Sequence, residues 1–396
     1  MLGSVFNRAN SMTVNTDRGT PPLRRMSSDA DGSTLFSSSS VQGDCARTPK
    51  ARRKSDIHEL LPEMLLRHDS DGGSFRLIGP GETVSDFYAM DVAFYSVGAK
   101  SVTKCTELAS GKSFVMKRRA RDANGCDAER PWRRVMEKLL RSERDRHIVA
   151  FHEILEDDAA FYIVMEECDG GQLFDLLLRE SSMSTRECKR IVREILLAVE
   201  YLHDHGLLHR DIKPENIMLS KENGENVIKL IDFDTCDEIA PRRLSLAMTP
   251  SDRVLKRRST RVIGTLGYIA PESFSGEYST ASDLFSVGVI FFILMTGDMP
   301  FDDAIYHSFA APEGEDDDIQ LVGSPRAKRV SKTLAASQID WTMNPWPQLP
   351  MARDLCQRLL ATDPEARLKS CEQALSHPWL ASAALQSVPA TPAKRN

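Results

Sequence analysis

Long apolar runs are missing from this sequence. The longest, residues 289–295 with Val287-Gly288 just ahead, falls well short of the ~20 residues a membrane-spanning helix needs. It reads as a buried core helix, and no membrane span is expected. Paired cysteines are missing too. The eight cysteines, at 45, 105, 126, 168, 188, 236, 356 and 371, form no C-x-x-C pair and no His/Cys cluster. Neither a disulfide framework nor a zinc site is indicated, and the thiols read as free in a reducing compartment. The opening Met1-Leu2-Gly3 lacks the charged-then-apolar order of a signal peptide, and Leu2 stands where N-myristoylation needs glycine. The cytoplasm is the expected location, with the nucleus an alternative. Strong net charge is absent as well: 51 Lys+Arg against 57 Asp+Glu leave −6 over 396 residues. That does not announce a nucleic-acid or membrane-surface partner. With 41% apolar and 27% charged residues, the chain is not collagen-like, mucin-like or wholly disordered.

The small net charge hides segregation. Residues 1–56 hold nine Lys/Arg and five Asp, +4, which leaves −10 for the remainder. The same segment has ten serines and almost no periodic apolar pattern. Such a stretch cannot bury enough surface to offset its ordering entropy, so a disordered leader is expected over 1–84. Two basic-serine signals stand in it, ending at Ser27 and Ser55.

From about residue 86 the texture changes. Strands are expected at 92–97 and 114–117, and a helix at 132–140 from apolar residues at i, i+3, i+4 spacing. Residues 154–155 and 161–166 resemble an antiparallel pair around an acidic turn. After Gly170-Gly171 the pattern is mostly helical: 185–203, 282–295, 350–360 and 371–380.

The stretch that carries chemistry is His209-Arg210-Asp211-Ile212-Lys213-Pro214-Glu215-Asn216. Sixteen residues after Asp211 a strand is expected at 227–231, ending in Asp232-Phe233-Asp234. Phosphoryl transfer asks for a carboxylate to orient a hydroxyl, metal ligands at the phosphates, and cations to balance charge. Asp211 can supply the first, Asn216 and Asp232 the second, and Lys213 part of the third. Hard Mg²⁺ prefers such oxygen donors.

With these residues the sequence resembles the eukaryotic Ser/Thr protein-kinase family. Phe114-Val115-Met116-Lys117 is similar to its third-strand lysine motif. The run from Gly264-Thr265-Leu266-Gly267 to Ala270-Pro271-Glu272 is similar to the end of its activation segment. Asp283-Leu284-Phe285-Ser286 resembles its buried anchoring helix, and Arg367 is expected to pair with Glu272. Val164-Met165-Glu166-Glu167-Cys168 and His377-Pro378-Trp379-Leu380 are most similar to the calcium/calmodulin-dependent and CDPK-like group.

The resemblance implies an α+β, two-lobed kinase fold over residues 85–381. A small antiparallel β-rich lobe would occupy 85–168 and a larger helical lobe 169–381. It implies ATP and Mg²⁺ as cofactors, protein substrates and no nucleic acid. Asp211, Lys213, Asn216 and Thr265 would be catalytic, with Asn216 and Asp232 holding metal. Lys117 would meet the ATP α/β-phosphates, backbone groups of Glu166 and Cys168 would hold adenine behind the gatekeeper Met165, and Glu215 would bind a substrate arginine. Gln172 stands where the group often has a second such glutamate.

Departures from the pattern are visible. The phosphate loop Ser96-Val97-Gly98-Ala99-Lys100-Ser101 keeps one of three glycines. The helix carboxylate for Lys117 is expected at Glu137, with Glu129 the alternative. Asp234 replaces the usual third-position glycine, and is read as a tolerated surface variant or else as an extra carboxylate near the metal. The activation segment is long, 41 residues from Asp232 to Glu272, and 240–263 carries seven Lys/Arg and one Asp. A phosphate at Ser259 or Thr260 would pair with Arg210 in the family manner. A second insertion, 302–338, is read as a solvated loop, and 382–396 as a flexible tail. No D-x-D-x-D-G-x₅-E loop appears, so a catalytic core without a built-in calcium-binding domain is expected. The expected function is Ser/Thr protein kinase with basic-residue preference and loop autophosphorylation. The alternative is a pseudokinase acting as a nucleotide-binding or scaffold module.

Overall fold

The computed structural model describes residues 74–97, 100–121, 129–179, 183–239, 256–307 and 318–381, without the side chains of 74, 92–97, 100, 129 and 256. Segments rich in β-branched and aromatic residues come first and form strands. β1 (Ser74–Leu77), β2 (Tyr88–Val97), β3 (Lys100–Glu107), β4 (Ser113–Ala120), β5 (Phe151–Glu156) and β6 (Ala160–Met165) make one six-stranded sheet, ordered β1-β5-β6-β4-β3-β2. Helix α1 (Glu129–Arg141) lies between β4 and β5 in the chain. Its inward face, Trp132, Val135, Met136, Leu139 and Leu140, is buried.

The sheet is not wholly antiparallel, and the fold starts before residue 85. β1 runs parallel to β5, with Phe75 opposite Ile154. Arg133 of α1 lays its guanidinium over the Phe75 ring at 4.6 Å, a cation–π contact. Backbone pairing along the edge of β5 orders a segment whose own composition announces nothing. The rest of the leader, with Ser27 and Ser55, and the tail 382–396 lie outside the described residues.

Past residue 168 helices dominate: α2 (Leu173–Arg179), α3 (Thr185–Asp204), α4 (Thr280–Thr296), α5 (Ala304–His307), α6 (Pro325–Ala336), α7 (Pro350–Leu359), α8 (Cys371–Leu375) and α9 (Pro378–Ala381). Short strands link them: β7 (Gly171–Gln172), β8 (Leu207–Leu208), β9 (Ile217–Glu222), β10 (Glu225–Leu230), β11 (Asp237–Glu238), β12 (Lys256–Arg258) and β13 (Glu277–Ser279). α3 begins where Ser184 Oγ accepts the Glu187 N–H at 3.2 Å, satisfying one of the helix's orphan donors. α4 is apolar nearly all round and buried along almost its whole length. Gly288 lets α7 close on it, since a Cβ there would lie 2.9 Å from Leu359 Cβ. Among the described residues no helix is long and apolar enough to cross a membrane.

Two expectations need correction. Residues 371–380 are not one helix, because Pro378 has no N–H to continue the ladder; α8 stops at Leu375 and α9 starts at Pro378. Nor is 302–338 simply a solvated loop. Within it α6 buries Ala327, Val330 and Leu334, a periodic face that the flanking charges mask in the sequence. Ser331 Oγ donates to the Pro271 carbonyl at 2.8 Å, which ties α6 to the end of the activation segment. Residues 308–317, with most of the acidic run, lie outside the described residues.

Candidate functional site

Between β8 and β9 the chain loops through His209 to Asn216 in irregular backbone that needs outside support. Asp283, in the first turn of α4, accepts the His209 N–H at 3.0 Å and the Arg210 N–H at 2.9 Å. Burial alone would raise this carboxyl, but His203 at 2.9 Å and the backbone donors outweigh it and hold Asp283 below the usual carboxylate range. Arg210 has φ +67°, a conformation that persists only where the surroundings enforce it. Gly264, at φ +114°, crosses so close that a Cβ would lie 2.7 Å from the Arg210 carbonyl. A glycine is required there.

This support brings the expected catalytic residues together. Thr265 Oγ1 donates to Asp211 Oδ1 at 2.7 Å and accepts from Lys213 Nζ at 2.7 Å. Lys213 Nζ also lies 3.2 Å from Asp211 Oδ2. Asn216 Nδ2 donates to the Asp211 carbonyl at 2.8 Å and to Asp211 Oδ2 at 3.1 Å. All four side chains are buried. Asn216 accepts the Ile231 N–H on its own carbonyl at 2.9 Å, which sets Asp232 beside it. Among the described residues Asn216 Oδ1 and Asp232 Oδ2 carry no hydrogen bond. They are hard oxygen donors of the kind Mg²⁺ takes. Phe233 is buried next to them, 5.6 Å from the Phe151 ring and 5.4 Å from His209. These edge-to-face ring contacts fix the backbone that carries Asp232.

Lys117 on β4 meets Asp232, but not Glu137. Its ammonium lies 2.7 Å from Asp232 Oδ1 and 2.9 Å from Asp234 Oδ2. Glu137 instead faces Arg133, one turn back on α1, at 3.4 Å. Its assignment to the nucleotide site is therefore corrected. The physical reason is the helix phase: the face turned to the sheet is apolar, and Glu137 falls off it. Asp234 is not a surface variant, since its side chain is only 13% exposed. Burial would lower the Lys117 ammonium, and Asp232 and Asp234 together raise it instead. Lys117 stays charged.

The hinge follows β6. Glu166 gives its N–H to the Ala150 carbonyl at 2.9 Å, and its carboxylate accepts the Ala150 N–H at 2.8 Å and Lys229 at 3.2 Å. Its carbonyl and the Cys168 amide carry no protein hydrogen bond among the described residues. Burial pushes the Cys168 thiol up to about 12, so it is no ready nucleophile. Ser96 and Val97 end β2 and pair with Ser101 and Lys100 on β3. The phosphate loop thus falls where β2 ends and β3 begins, and Gly98 lies outside the described residues.

Three further residues complete the cleft. Neither carboxylate oxygen of Glu215 meets a donor beyond its own amide, and burial raises this carboxyl although Lys213 pulls the other way. Gln172 lies on β7 opposite Met218 of β9. Arg210 is already engaged: it donates to the Thr235 carbonyl at 2.7 Å and meets Asp237 Oδ2 at 3.0 Å. Arg257 reaches the same oxygen at 3.0 Å. A carboxylate of β11, unforeseen from the sequence, stands where a loop phosphate is expected. Ser259 Oγ donates to the Arg261 carbonyl at 2.7 Å, whereas Thr260 is exposed. Residues 240–255 lie outside the described residues. Arg367 pairs with Glu272 as expected, at 2.7 and 3.1 Å.

Residues 98–380 match the protein kinase domain family. The chain is 31% identical over 279 residues to calcium-dependent protein kinase 14 of Arabidopsis thaliana, covering 70% of this chain and 46% of that protein. It is 32% identical over 281 residues to calcium-dependent protein kinase 20 of Oryza sativa subsp. japonica, 70% of this chain and 44% of the relative. With calcium-dependent protein kinase 13 of Arabidopsis thaliana it shares 29% identity over 354 residues, 86% of this chain and 60% of that one. The chain spans about half the length of the first two.

Proposed function

The chain belongs to the protein kinase domain family, and from that premise we propose that it transfers the γ-phosphate of ATP to Ser and Thr hydroxyls of protein substrates. One observation carries the reading: Asp211, Lys213, Asn216 and Thr265 form a closed hydrogen-bonded set, and Asn216 holds the strand end that bears Asp232. Asp211 accepts from Thr265 on one oxygen and from Asn216 on the other, so its carboxylate is fixed to orient a substrate hydroxyl for in-line attack. Lys213 balances charge that develops on the transferred group. Asn216 and Asp232 would hold Mg²⁺, which supplies charge neutralisation at the phosphates when bound. Lys117 would bind the α/β-phosphates, and the Glu166 carbonyl and Cys168 amide the adenine edge.

Glu215 supports a preference for basic substrates. A buried carboxylate without a partner is costly, and an arriving guanidinium would relieve it. Thr260, exposed on a basic segment, is the better placed of the two loop sites for autophosphorylation. The pseudokinase alternative finds no support in relatives named as kinases. Radiolabelled Mg-ATP transfer to a positional peptide library, with a Lys117→Met control, tests the reading. Label on Ser/Thr peptides bearing arginine, lost in the control, is expected. Equal labelling by the control would overturn it.

A further inference from the structure

Among its described side chains helix α1 offers no carboxylate to Lys117, and that of Glu129 lies outside them. Between Arg130 and Arg141 its one acidic residue is Glu137, which is turned to Arg133. The positions that face the sheet are Trp132, Val135 and Met136, all buried. Trp132 packs against Phe161 at 4.8 Å with Arg119 over its ring at 4.4 Å, so that face is closed to a charge.

Asp234 comes from the other side of the cleft. Asp232 sits at φ +63°, which turns the chain back on itself. The Asp234 N–H then reaches Asp232 Oδ1 at 3.2 Å, and the two side chains converge on one ammonium at 2.7 and 2.9 Å. An ammonium has three donors. Two are used here, which leaves one for a phosphate oxygen. Asp232 is also a candidate metal donor, so a bound cation draws on its charge. Asp234, one residue beyond the Phe233 anchor, holds Lys117 at 2.9 Å without being one of the candidate metal donors.

We propose that Asp234 is a positioning residue that does what Glu137 does not, holding the Lys117 ammonium in register for nucleotide phosphates. The proposal rests on the reading that Lys117 binds ATP. It has a conformational consequence. The lysine's partners sit two residues apart on one turn, so the pair forms without any movement of α1.

The test uses full-length protein and two readouts, MgATP affinity by titration calorimetry and the split between KM for ATP and kcat. Asp234→Asn and Asp234→Gly are expected to weaken MgATP binding and raise KM for ATP by about tenfold, the order of one charge-assisted hydrogen bond. Asp234→Glu should restore most of the affinity, and Glu137→Ala should leave it within about twofold. Wild-type affinity in both Asp234 variants, alongside lost binding in Lys117→Met, would overturn the role of Asp234 and leave the kinase reading intact. Loss of affinity in Glu137→Ala equal to that in Asp234→Asn would also overturn it. Unchanged binding in Lys117→Met would overturn the underlying reading instead. Should the Asn variant fail to fold, the Gly variant, which restores the residue usual at this position, decides.

Discussion

Replacing Glu215 by glutamine separates what this residue costs the fold from what it does for a substrate. In the free protein both carboxylate oxygens are buried with no donor beyond the residue's own amide. Burial raises the carboxyl above its ordinary value, and the attraction of Lys213 offsets part of that. The folded chain therefore binds a proton at higher pH than the unfolded chain. Stability from this group falls as pH rises through the folded value, and the penalty vanishes once both states are protonated. A buried unsatisfied polar group costs about 1–3 kcal/mol, and with Lys213 nearby the lower end applies. Glu215→Gln should then raise the melting temperature near pH 8 by about 2 °C for a domain of this size. The gain should shrink as the pH is lowered into the carboxylate range. With a substrate arginine the sign reverses, because the charge-assisted bond is lost; kcat/KM for arginine-bearing peptides should fall by about 10–100-fold. Peptides without arginine should change little. Melting curves from pH 5 to 8 and paired peptide kinetics, at about 0.1 M salt, check both halves. A variant that melts below wild type at pH 8, or keeps its arginine preference, would refute the reasoning.

Asp211→Asn keeps one oxygen to accept from Thr265 or Asn216, but loses the other acceptor and the charge that orients the hydroxyl. Single-turnover transfer should slow by about a thousandfold, with MgATP affinity within a fewfold of wild type by calorimetry. Arg367→Leu strands the Glu272 carboxylate, whose partner guanidinium is fully buried and also donates to Ala361 and Ala281. Urea titration should show a loss of about 3–5 kcal/mol. Asp237→Asn removes the counterion shared by Arg210 and Arg257. Because the Arg210 side chain is only 9% exposed there, the midpoint in urea should drop by an amount worth about 2–3 kcal/mol; an unchanged midpoint would show that Asp237 does not stand in for a phosphate.

What could be read along the chain was whatever depends on local order. The spacing of Asp211, Lys213 and Asn216, the strand ending at Asp232, and the 3.6-residue period of 185–203 announce themselves without a partner. So does the family, because its motifs fall in order. Thr265 and Arg367 were also legible, through the resemblance rather than through chemistry, since nothing local says that residue 265 meets residue 211. Periodicity failed where charge masks it, as in α6, and where a proline splits a helix, as at Pro378.

The tertiary structure alone decided which charges meet. Glu137 and Asp234 are each one acidic side chain to a reader of sequence. The rotation of α1 sends the first to solvent and Arg133, and the left-handed turn at Asp232 sends the second to Lys117. Asp237 meets Arg210 because β11 pairs with β8, Asp237 opposite Leu208. β1 exists because β5 has a free edge to offer it. Local sequence determines which residues can do chemistry and which stretches can bury a face. Ion pairs are set by distance across the chain, and only packing in three dimensions fixes that distance.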